Sequence, residues 1–510
     1  MTQADRWAND LAFVRSEIIR FARMDPQVIL RDHAVDSDFT VPHPDGQGDL
    51  ICGQEAGRRL TTIAEDVLTR PTLRARLSAH TVREHTKREF SHRFLQNDRQ
   101  IDRRSAQRLL SAVEKSVARE LVNLTHYIPC HVVTGEAPKL FEIGPVKFRP
   151  RRIFLEELSE DLDRYVNSSI GLMERQEQDT KRTTQGSPDH ARRWVEQLRD
   201  GLLAHFSGFE WIAEVSVCRC EPAVSRQRAR QTVESALDIL RLILGEHHSD
   251  RMRVSGTPLA PLEGAQLTRA SDGTIDISLS RSWNGQGLGK HWWSLFQSPE
   301  VAPRMAAASI ALASVASMAP DHPLCERFID AAGWYGQAIL ETSPAAKTIK
   351  YMTSIERIVL ADSHDEVTST VVARAAALCV DPGDQDHSRW RALVTRLYDA
   401  RSRLVHGSMS PYSPTLERIA WDTGDVARCT LIRGLDLFSE LNLSKKITTK
   451  ELNRALATHV ERILSIAPLN CVDSNPGADP AKLRTPFVRA TRAKLRQLRQ
   501  LLRRSRRTQN

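Results

Sequence analysis

Between residues 304 and 467, apolar side chains recur at steps of three and four, which is the spacing of an amphipathic helix. This periodicity predicts seven helices, at residues 304–319, 324–341, 345–360, 367–378, 388–406, 415–441 and 449–467. The C-terminal part of the chain is therefore predicted to be almost entirely helical.

The first 300 residues mix helical and β patterns. Helical spacing covers residues 55–68 and 105–124, whereas alternation with glycine and proline predicts short strands between 126 and 154. The sequence from 179 to 190 is typical of a loop. A strand is expected at 211–217, and the periodic helix after it is expected to end at Gly245. The prediction is an α+β protein that is predominantly α, with a mixed N-terminal region and a C-terminal helical bundle.

A chain of 510 residues exceeds the size at which one hydrophobic core stops growing, so two or three domains are expected. The patterns place the boundaries as follows: a helical region at 1–125, a mixed α/β sensor or RNA-recruiting region at 126–300, a helical bundle at 304–445, a C-terminal helix at 446–473, and a linker with a basic tail at 474–510.

The net charge of +9 is concentrated in the tail. Residues 481–510 contain eleven Lys and Arg and no acid, which leaves a net charge of −2 for the other 480 residues. An argument for nucleic-acid binding from charge therefore concerns the tail alone. There, Arg496, Arg499, Arg503 and Arg504 lie among leucines at helical spacing and are candidate contacts to RNA phosphates. Contact with an anionic membrane surface and packing as a terminal helix are the alternatives.

The expected compartment is the cytoplasm. No apolar run reaches the roughly 18 residues that span a bilayer, and the N-terminus lacks the apolar centre of a signal peptide. The eight cysteines are scattered, mostly in apolar contexts, which is typical of a reducing compartment. Cys218 and Cys220 were weighed as metal ligands, but too few further ligands follow at suitable spacing, so no metal or other cofactor is expected.

A glycine-rich stretch at residues 283–293 lacks the strand–loop–helix setting of a phosphate-binding loop. Its tryptophans, Trp283, Trp292 and Trp293, are expected to form a packed aromatic cluster beside a turn. Stacking of RNA bases on them is the alternative.

The most informative candidate chemistry lies at the end of the helix predicted at 388–406. At about 100° per residue, His406 lies about 140° from Arg401 on an ideal helix. The two side chains can converge if the last turn unwinds before Gly407, or if two copies pool them across a two-fold axis. The buried stripe of this helix is predicted to consist of Leu393, Leu397, Ala400 and Leu404.

A histidine at a helix C-terminus beside an arginine has the parts needed to cleave RNA without a metal. The negative end of the helix dipole favours the protonated imidazole, whereas the neighbouring cation opposes it, so the histidine can exchange protons near neutrality. A base removes the 2′-OH proton, the oxygen attacks the adjacent phosphorus, and the cation stabilises the charge that develops.

The segment YDARSRLVHG, from Tyr398 to Gly407, resembles the signature of the HEPN superfamily, in its ApeA-like branch. That signature has an Arg, commonly followed by a polar residue, and then a His after a spacing of four. Residues 347–379 resemble the first two helices of that domain, with Glu356 in the middle of the first. The resemblance covers about residues 324–441.

The resemblance implies a dimeric four- to five-helix bundle with metal-independent endoribonuclease activity, often used in bacterial anti-phage or abortive-infection defence. It implies that Arg401 binds phosphate and stabilises the transition state, and that His406 is the general acid–base. Ser402 is implied to help place them, and Glu356 is a candidate to orient either one from the neighbouring helix. The alternative is a non-catalytic HEPN protein that uses the same surface for dimerisation or for binding RNA.

Overall fold

The computed structural model describes the chain in a series of ranges, and the fold is that of these residues. They are 2–25, 28–29, 37–46, 48–70, 72–97, 99–133, 138–179, 188–257, 263–269, 275–281, 292–317, 322–361, 367–380 and 387–466.

The chain divides into two compact units. The first comprises residues 1–125 together with 216–229, and the second comprises residues 126–215 and 230–510. The boundaries predicted at 300 and 445 both fall within the second unit.

The first unit is built on four helices and one short hairpin. The helices are α1 (Gln3–Ala22), α2 (Gly53–Leu68), α3 (Ala79–Phe90) and α4 (Arg103–Val117), and the strands β1 (Thr40–Pro42) and β2 (Asp49–Ile51) pair antiparallel. One continuous core joins all four helices. Helix α1 begins at a capping box, in which Thr2 and Asp5 satisfy each other's backbone N–H groups.

The end of α4 differs from the prediction of a helix through residue 124. The helix ends at Val117, and after one turn of 3-10 helix the strand β3 (Val122–His131) begins. In its N-terminal part, Leu124, His126 and Ile128 are half-buried while the residues between them are exposed. This alternation is the period of a strand, and it is hidden in the sequence because the preceding residues fit a helical period.

A five-stranded sheet has the strand order β4-β5-β6-β3-β7. The remaining strands are β4 (Phe141–Ile143), β5 (Val146–Pro150), β6 (Trp211–Cys220) and β7 (Arg253–Val254). Strands β5 and β6 pair antiparallel, with Val146 opposite Val215 and Phe148 opposite Ala213. A separate hairpin joins β8 (Glu263–Arg269) and β9 (Ile275–Arg281). The structure is thus predominantly helical with limited β content, which confirms the predicted fold class.

A helical hairpin is inserted between β5 and β6. It consists of α5 (Arg151–Asp179) and α6 (Pro188–Ser207). The expectation of β structure as far as residue 154 was wrong for the last four residues, because α5 begins at Arg151. The helices pack through two small clusters, one with Phe154 against Phe206 and one with Ile170 against Val195.

Helix α7 (Pro222–Leu244), whose residues from 230 onward belong to the second unit, precedes seven further helices of that unit. Gly245 follows α7 with φ of +81°, in the left-handed region that favours glycine, so this helix ends where predicted. The seven helices lie within a few residues of their predicted bounds: α8 (Ala302–Ala316), α9 (Pro323–Ile339), α10 (Pro344–Val359), α11 (Val367–Cys379), α12 (His387–Val405), α13 (Leu416–Glu440) and α14 (Thr449–Ile466).

No helix in the described ranges combines the length and apolar character that crossing a membrane requires.

We expect a pH-dependent stability from His131, which is 7% exposed at the end of β3. Burial and the nearby Arg253 cation lower the pKa of His131 to about 4, well below the 6.5 of an unfolded chain. Below pH 6.5, His131 therefore binds a proton in the unfolded state but stays neutral in the folded state. The free energy of unfolding falls as the pH drops toward 4. Between pH 7 and pH 5 the His131 contribution is about 2 kcal/mol.

Urea unfolding of wild type and His131→Gln at pH 7 and pH 5 measures this effect. Wild type is expected to lose about 2 kcal/mol more of its free energy of unfolding between pH 7 and pH 5 than His131→Gln does. An identical loss in both proteins would show that His131 does not titrate differently on folding.

Candidate functional site

The candidate site is positioned by α12. Its buried side chains include Trp390, Val394, Leu397 and Tyr398, which recur at helical spacing. Arg401 follows one turn after Leu397 and Tyr398, so it continues this stripe toward the neighbouring helices α10 and α11. Of the four predicted stripe residues, Leu397 and Ala400 are buried, whereas Leu393 and Leu404 are half-buried.

Arg401 is paired with Glu356 on α10. The Nη2 atom of Arg401 donates a hydrogen bond to Oε2 of Glu356 at 3.2 Å. The side chains are 24% and 16% exposed, respectively, so water screens this pair less than it would screen a surface pair. Glu356 therefore fixes the direction of the guanidinium, and it contacts Arg401 rather than His406.

Tyr398 holds both members of this pair. Its phenol donates a hydrogen bond to Glu356, and its ring lies under the guanidinium of Arg401, with 5.7 Å between Cζ and the ring centroid. Burial, the charge of Glu356 and the hydrogen bond to it raise the pKa of Tyr398, so the phenol stays protonated at neutral pH. Thr368 on α11 adds a further side-chain hydrogen bond to Tyr398.

The Nε atom of Arg401 is buried and has no hydrogen-bond partner within the described part of the chain. A guanidinium presents five donors in a fixed fork, and here Glu356 takes one of them. A buried donor without a partner is costly, which makes an additional acceptor favourable at this position. A phosphate oxygen is a strong acceptor for a guanidinium, and it would reach Arg401 through the exposed part of the side chain and not at the buried Nε atom.

His406 lies where α12 ends. The Ser408 N–H donates to the Arg403 carbonyl at 2.9 Å, and the Gly407 N–H donates to the Leu404 carbonyl at 3.3 Å. These are the two hydrogen bonds of a Schellman motif, and Gly407 has the φ of +73° that the motif requires. The helix thus closes at the predicted glycine, and His406 is its exposed C-cap residue.

The structure brings together some of the predicted site residues but not others. Arg401 and Glu356 are in contact, whereas the imidazole of His406 has no hydrogen bond to any described residue. Ser402 is half-buried, and its backbone carbonyl accepts the His406 N–H at 2.9 Å. Within one chain, the end of the helix therefore does not join His406 to Arg401.

Sequence reasoning missed the part that Tyr398 and Thr368 play. Tyr398 lies one turn before Arg401 on the buried side of α12, and this spacing was the available signal. Thr368 lies at the start of α11, and nothing in the sequence connects it with a residue thirty positions later.

Some of the remaining candidates lie outside the described ranges, and one lies in a packed cluster. Arg496, Arg499, Arg503 and Arg504 lie outside the described residues, as does Trp283. Trp292 is buried and packs edge-on against Phe141 and Trp211, as the packed-cluster prediction required.

Two residues of one strand separated by one position normally share a face, but Cys218 is exposed and Cys220 is buried. Arg219 between them has φ of +52°, which breaks the alternation of the strand. Across the ranges that the structure describes, no three His, Cys, Asp or Glu side chains gather as metal ligands.

No protein-family model matches this chain, and neither the curated proteins nor the solved structures contain a significant match. The HEPN resemblance of residues 398–407 stays a prediction from the sequence.

Proposed function

We propose that this chain is a metal-independent endoribonuclease that works as a homodimer in the cytoplasm. Arg401 holds the scissile phosphate, and His406 transfers protons. The observation that carries the proposal is the half-buried Arg401, which Glu356 and Tyr398 hold in place while part of its side chain remains exposed.

The reaction follows from the chemistry of these groups. The imidazole of His406 accepts the proton of a ribose 2′-OH, and the 2′ oxygen forms a bond to the neighbouring phosphorus. The bond from phosphorus to the 5′ oxygen then breaks, and that oxygen takes up a proton. Arg401 stabilises the charge that develops on the phosphoryl oxygens. The products are a 2′,3′-cyclic phosphate and a 5′-OH, and DNA is not a substrate because it lacks the 2′-OH.

The homodimer is supported by exposed apolar side chains beside the motif. Val405 is 50% exposed, Tyr412 in the loop before α13 is 92% exposed, and Trp421 on α13 is 56% exposed. Large aromatic side chains with this exposure are typical of protein interfaces. Pairing two copies here would bring two exposed His406 side chains into one groove and would supply the convergence that one chain lacks.

We expect Trp421→Ser to weaken self-association by about tenfold to a hundredfold, because aromatic anchors carry most of an interface's binding energy. Sedimentation equilibrium measures the dissociation constant. Trp334→Ser is the matched control, since Trp334 is also an exposed tryptophan (38%) but lies on α9, away in sequence from Val405, Tyr412 and Trp421. Equal dissociation constants for Trp421→Ser and wild type would exclude Trp421 from the interface.

A non-catalytic scaffold is the second candidate. It is favoured by the ion pair itself, because Glu356 neutralises Arg401 and a purely structural role needs nothing more. In that case the bundle would dimerise or bind RNA without cutting it.

The experiment that separates the candidates is incubation of the purified chain with total RNA or tRNA in EDTA, followed by analysis of the product ends. New 2′,3′-cyclic phosphate and 5′-OH ends are expected. RNA that is bound but left intact would support the scaffold, provided that expression in cells is also non-toxic. Toxicity without cleavage by the purified chain would instead indicate an enzyme that needs a trigger.

The basic tail is proposed to add electrostatic affinity for RNA through Arg496, Arg499, Arg503 and Arg504. The salt dependence of RNA binding, with and without residues 481–510, tests this part. The defence role that the resemblance implies is tested by phage plating on cells that express the wild type or the Arg401→Ala variant.

A further inference from the structure

The helical hairpin of α5 and α6 leaves one apolar side uncovered. Tyr165 and Leu172 on α5 are 52% and 56% exposed, and Trp194 and Leu198 on α6 are 46% and 44% exposed. Exposed apolar residues scattered singly are ordinary, but four large ones on one two-helix element indicate an interaction surface.

The four residues lie on the same side of the hairpin. On α5, Tyr165 and Leu172 are seven residues apart and therefore share a face, as do Trp194 and Leu198 on α6. Ile170 on α5 and Val195 on α6 mark the side of each helix that faces the other helix. Viewed along each helix from its N-terminus, the exposed residues are rotated from that side in the same direction. In an antiparallel pair, displacement in the same rotational sense places both rows toward one side. We name this surface, formed by Tyr165, Leu172, Trp194 and Leu198, the hairpin face.

The charge of the hairpin is complementary to that of the C-terminal tail. Helices α5 and α6 contain eleven Asp and Glu and seven Lys and Arg, a net charge of −4, whereas residues 481–510 carry +11. On α5, the exposed acids Glu157 and Asp161 precede Tyr165 by two turns and one turn and lie beside the hairpin face, where they form exposed ion pairs with Arg149 and Arg164.

The tail also carries an apolar row. On a helix, Leu495, Leu498, Leu501 and Leu502 would share one side, with Arg499 on one flank and Lys494 at the N-terminal end of the same side. Arg496, Arg503 and Arg504 would point away from the leucines. The tail would therefore turn its leucines to an apolar surface and three arginines outward, and in this arrangement Arg499 would face the hairpin instead of RNA.

The chain is long enough for this contact. The described part ends at Ile466 in the same unit as the hairpin, and 28 residues separate it from Leu495. Their extended reach is about 90 Å, against a diameter of about 55 Å for a compact unit of this size.

We propose that residues 493–504 of the tail form a helix that packs on the hairpin face of the same chain and completes a three-helix bundle. The docked helix would hold Arg496, Arg503 and Arg504 at the surface, available to a polyanion. The proposal rests on the hairpin and the tail alone and does not require the chain to cleave RNA.

The test uses the full-length chain with Tyr165 replaced by the photo-crosslinker p-benzoylphenylalanine, a change that an exposed position tolerates. Irradiation followed by peptide mass spectrometry is expected to give cross-links to residues 493–504. The same replacement of the exposed Trp334, on α9, is the matched control and is expected to give none. Adding Leu498→Asp and Leu502→Asp should reduce the yield at least about tenfold, because these leucines would lose their burial. The double variant Arg496→Ala, Arg503→Ala should leave the cross-link yield unchanged.

Three results would overturn the proposal. The first is no cross-link to residues 493–504. The second is cross-linking only to residues 151–207 of a second copy, identified by mixing isotopically heavy and light protein, which would mean that two hairpins pair. The third is a tail cross-link that forms only in the presence of RNA or of vesicles containing phosphatidylserine, which would assign the tail to that partner.

Discussion

Replacing Arg401 with alanine is expected to slow RNA cleavage in EDTA by about 100- to 1000-fold, the usual cost of losing a preorganised donor to a developing oxyanion. The guanidinium is already fixed by Glu356 at 3.2 Å and by the Tyr398 ring, so little reorganisation is needed when a phosphate arrives. The loss is expected mainly in kcat, because the charge on the phosphoryl oxygens grows toward the transition state.

Graded variants separate the guanidinium from its surroundings. Arg401→Lys keeps the charge but loses the fork geometry, and should recover only part of the rate. Glu356→Gln keeps a hydrogen-bond acceptor without the charge, and we expect a loss of about tenfold, equivalent to about 1.4 kcal/mol. Arg403→Ala is the matched control, because Arg403 lies on the same helix and its side chain is exposed. A full rate for Arg401→Ala would remove Arg401 from the reaction.

Gly336→Ala is expected to destabilise the second unit by about 3 kcal/mol or more, which is the upper range for overpacking a core. Gly336 on α9 faces Asp238 on α7, and a Cβ at this position would overlap the Asp238 carboxyl far inside van der Waals contact. The carboxyl cannot move away easily, because it is buried and accepts a hydrogen bond from the buried Arg241. Burial also raises the pKa of Asp238 to about 7.

The matched control is Gly333→Ala, one turn earlier on the same helix. A Cβ at Gly333 would lie 3.8 Å from the nearest Asp238 oxygen, which is ordinary contact. This variant gains helix propensity and should be neutral or slightly stabilising. Thermal unfolding of both variants measures the difference. Equal midpoints would show that α7 and α9 do not pack this closely.

The periodic helices could be predicted because one apolar stripe per helix is a local property of the sequence. The seven helices from 302 to 466 and the glycine stops at Gly245 and Gly407 lie where the pattern placed them. The first strand after α4 was missed because the residues before it fit a helical period equally well, and pairing with distant strands decides such cases.

The sequence suggests the candidate residues but not the contacts between them. The spacing from Arg401 to His406 is visible in the sequence, and Glu356 was a candidate to orient either residue. That Glu356 pairs with Arg401, and that Tyr398 contacts both, depends on how α10 and α12 pack. Such packing joins residues 45 positions apart, which no local pattern encodes. The exposed position of His406 was likewise visible only in the structure.

The most direct test of the central claim is the single-turnover rate of RNA cleavage in EDTA for wild type, Arg401→Ala, His406→Ala and the double variant. If the two residues act as one unit, each single variant loses at least about 100-fold and the double variant is no slower than the slower single one. Cleavage by both single variants at the wild-type rate would contradict the account.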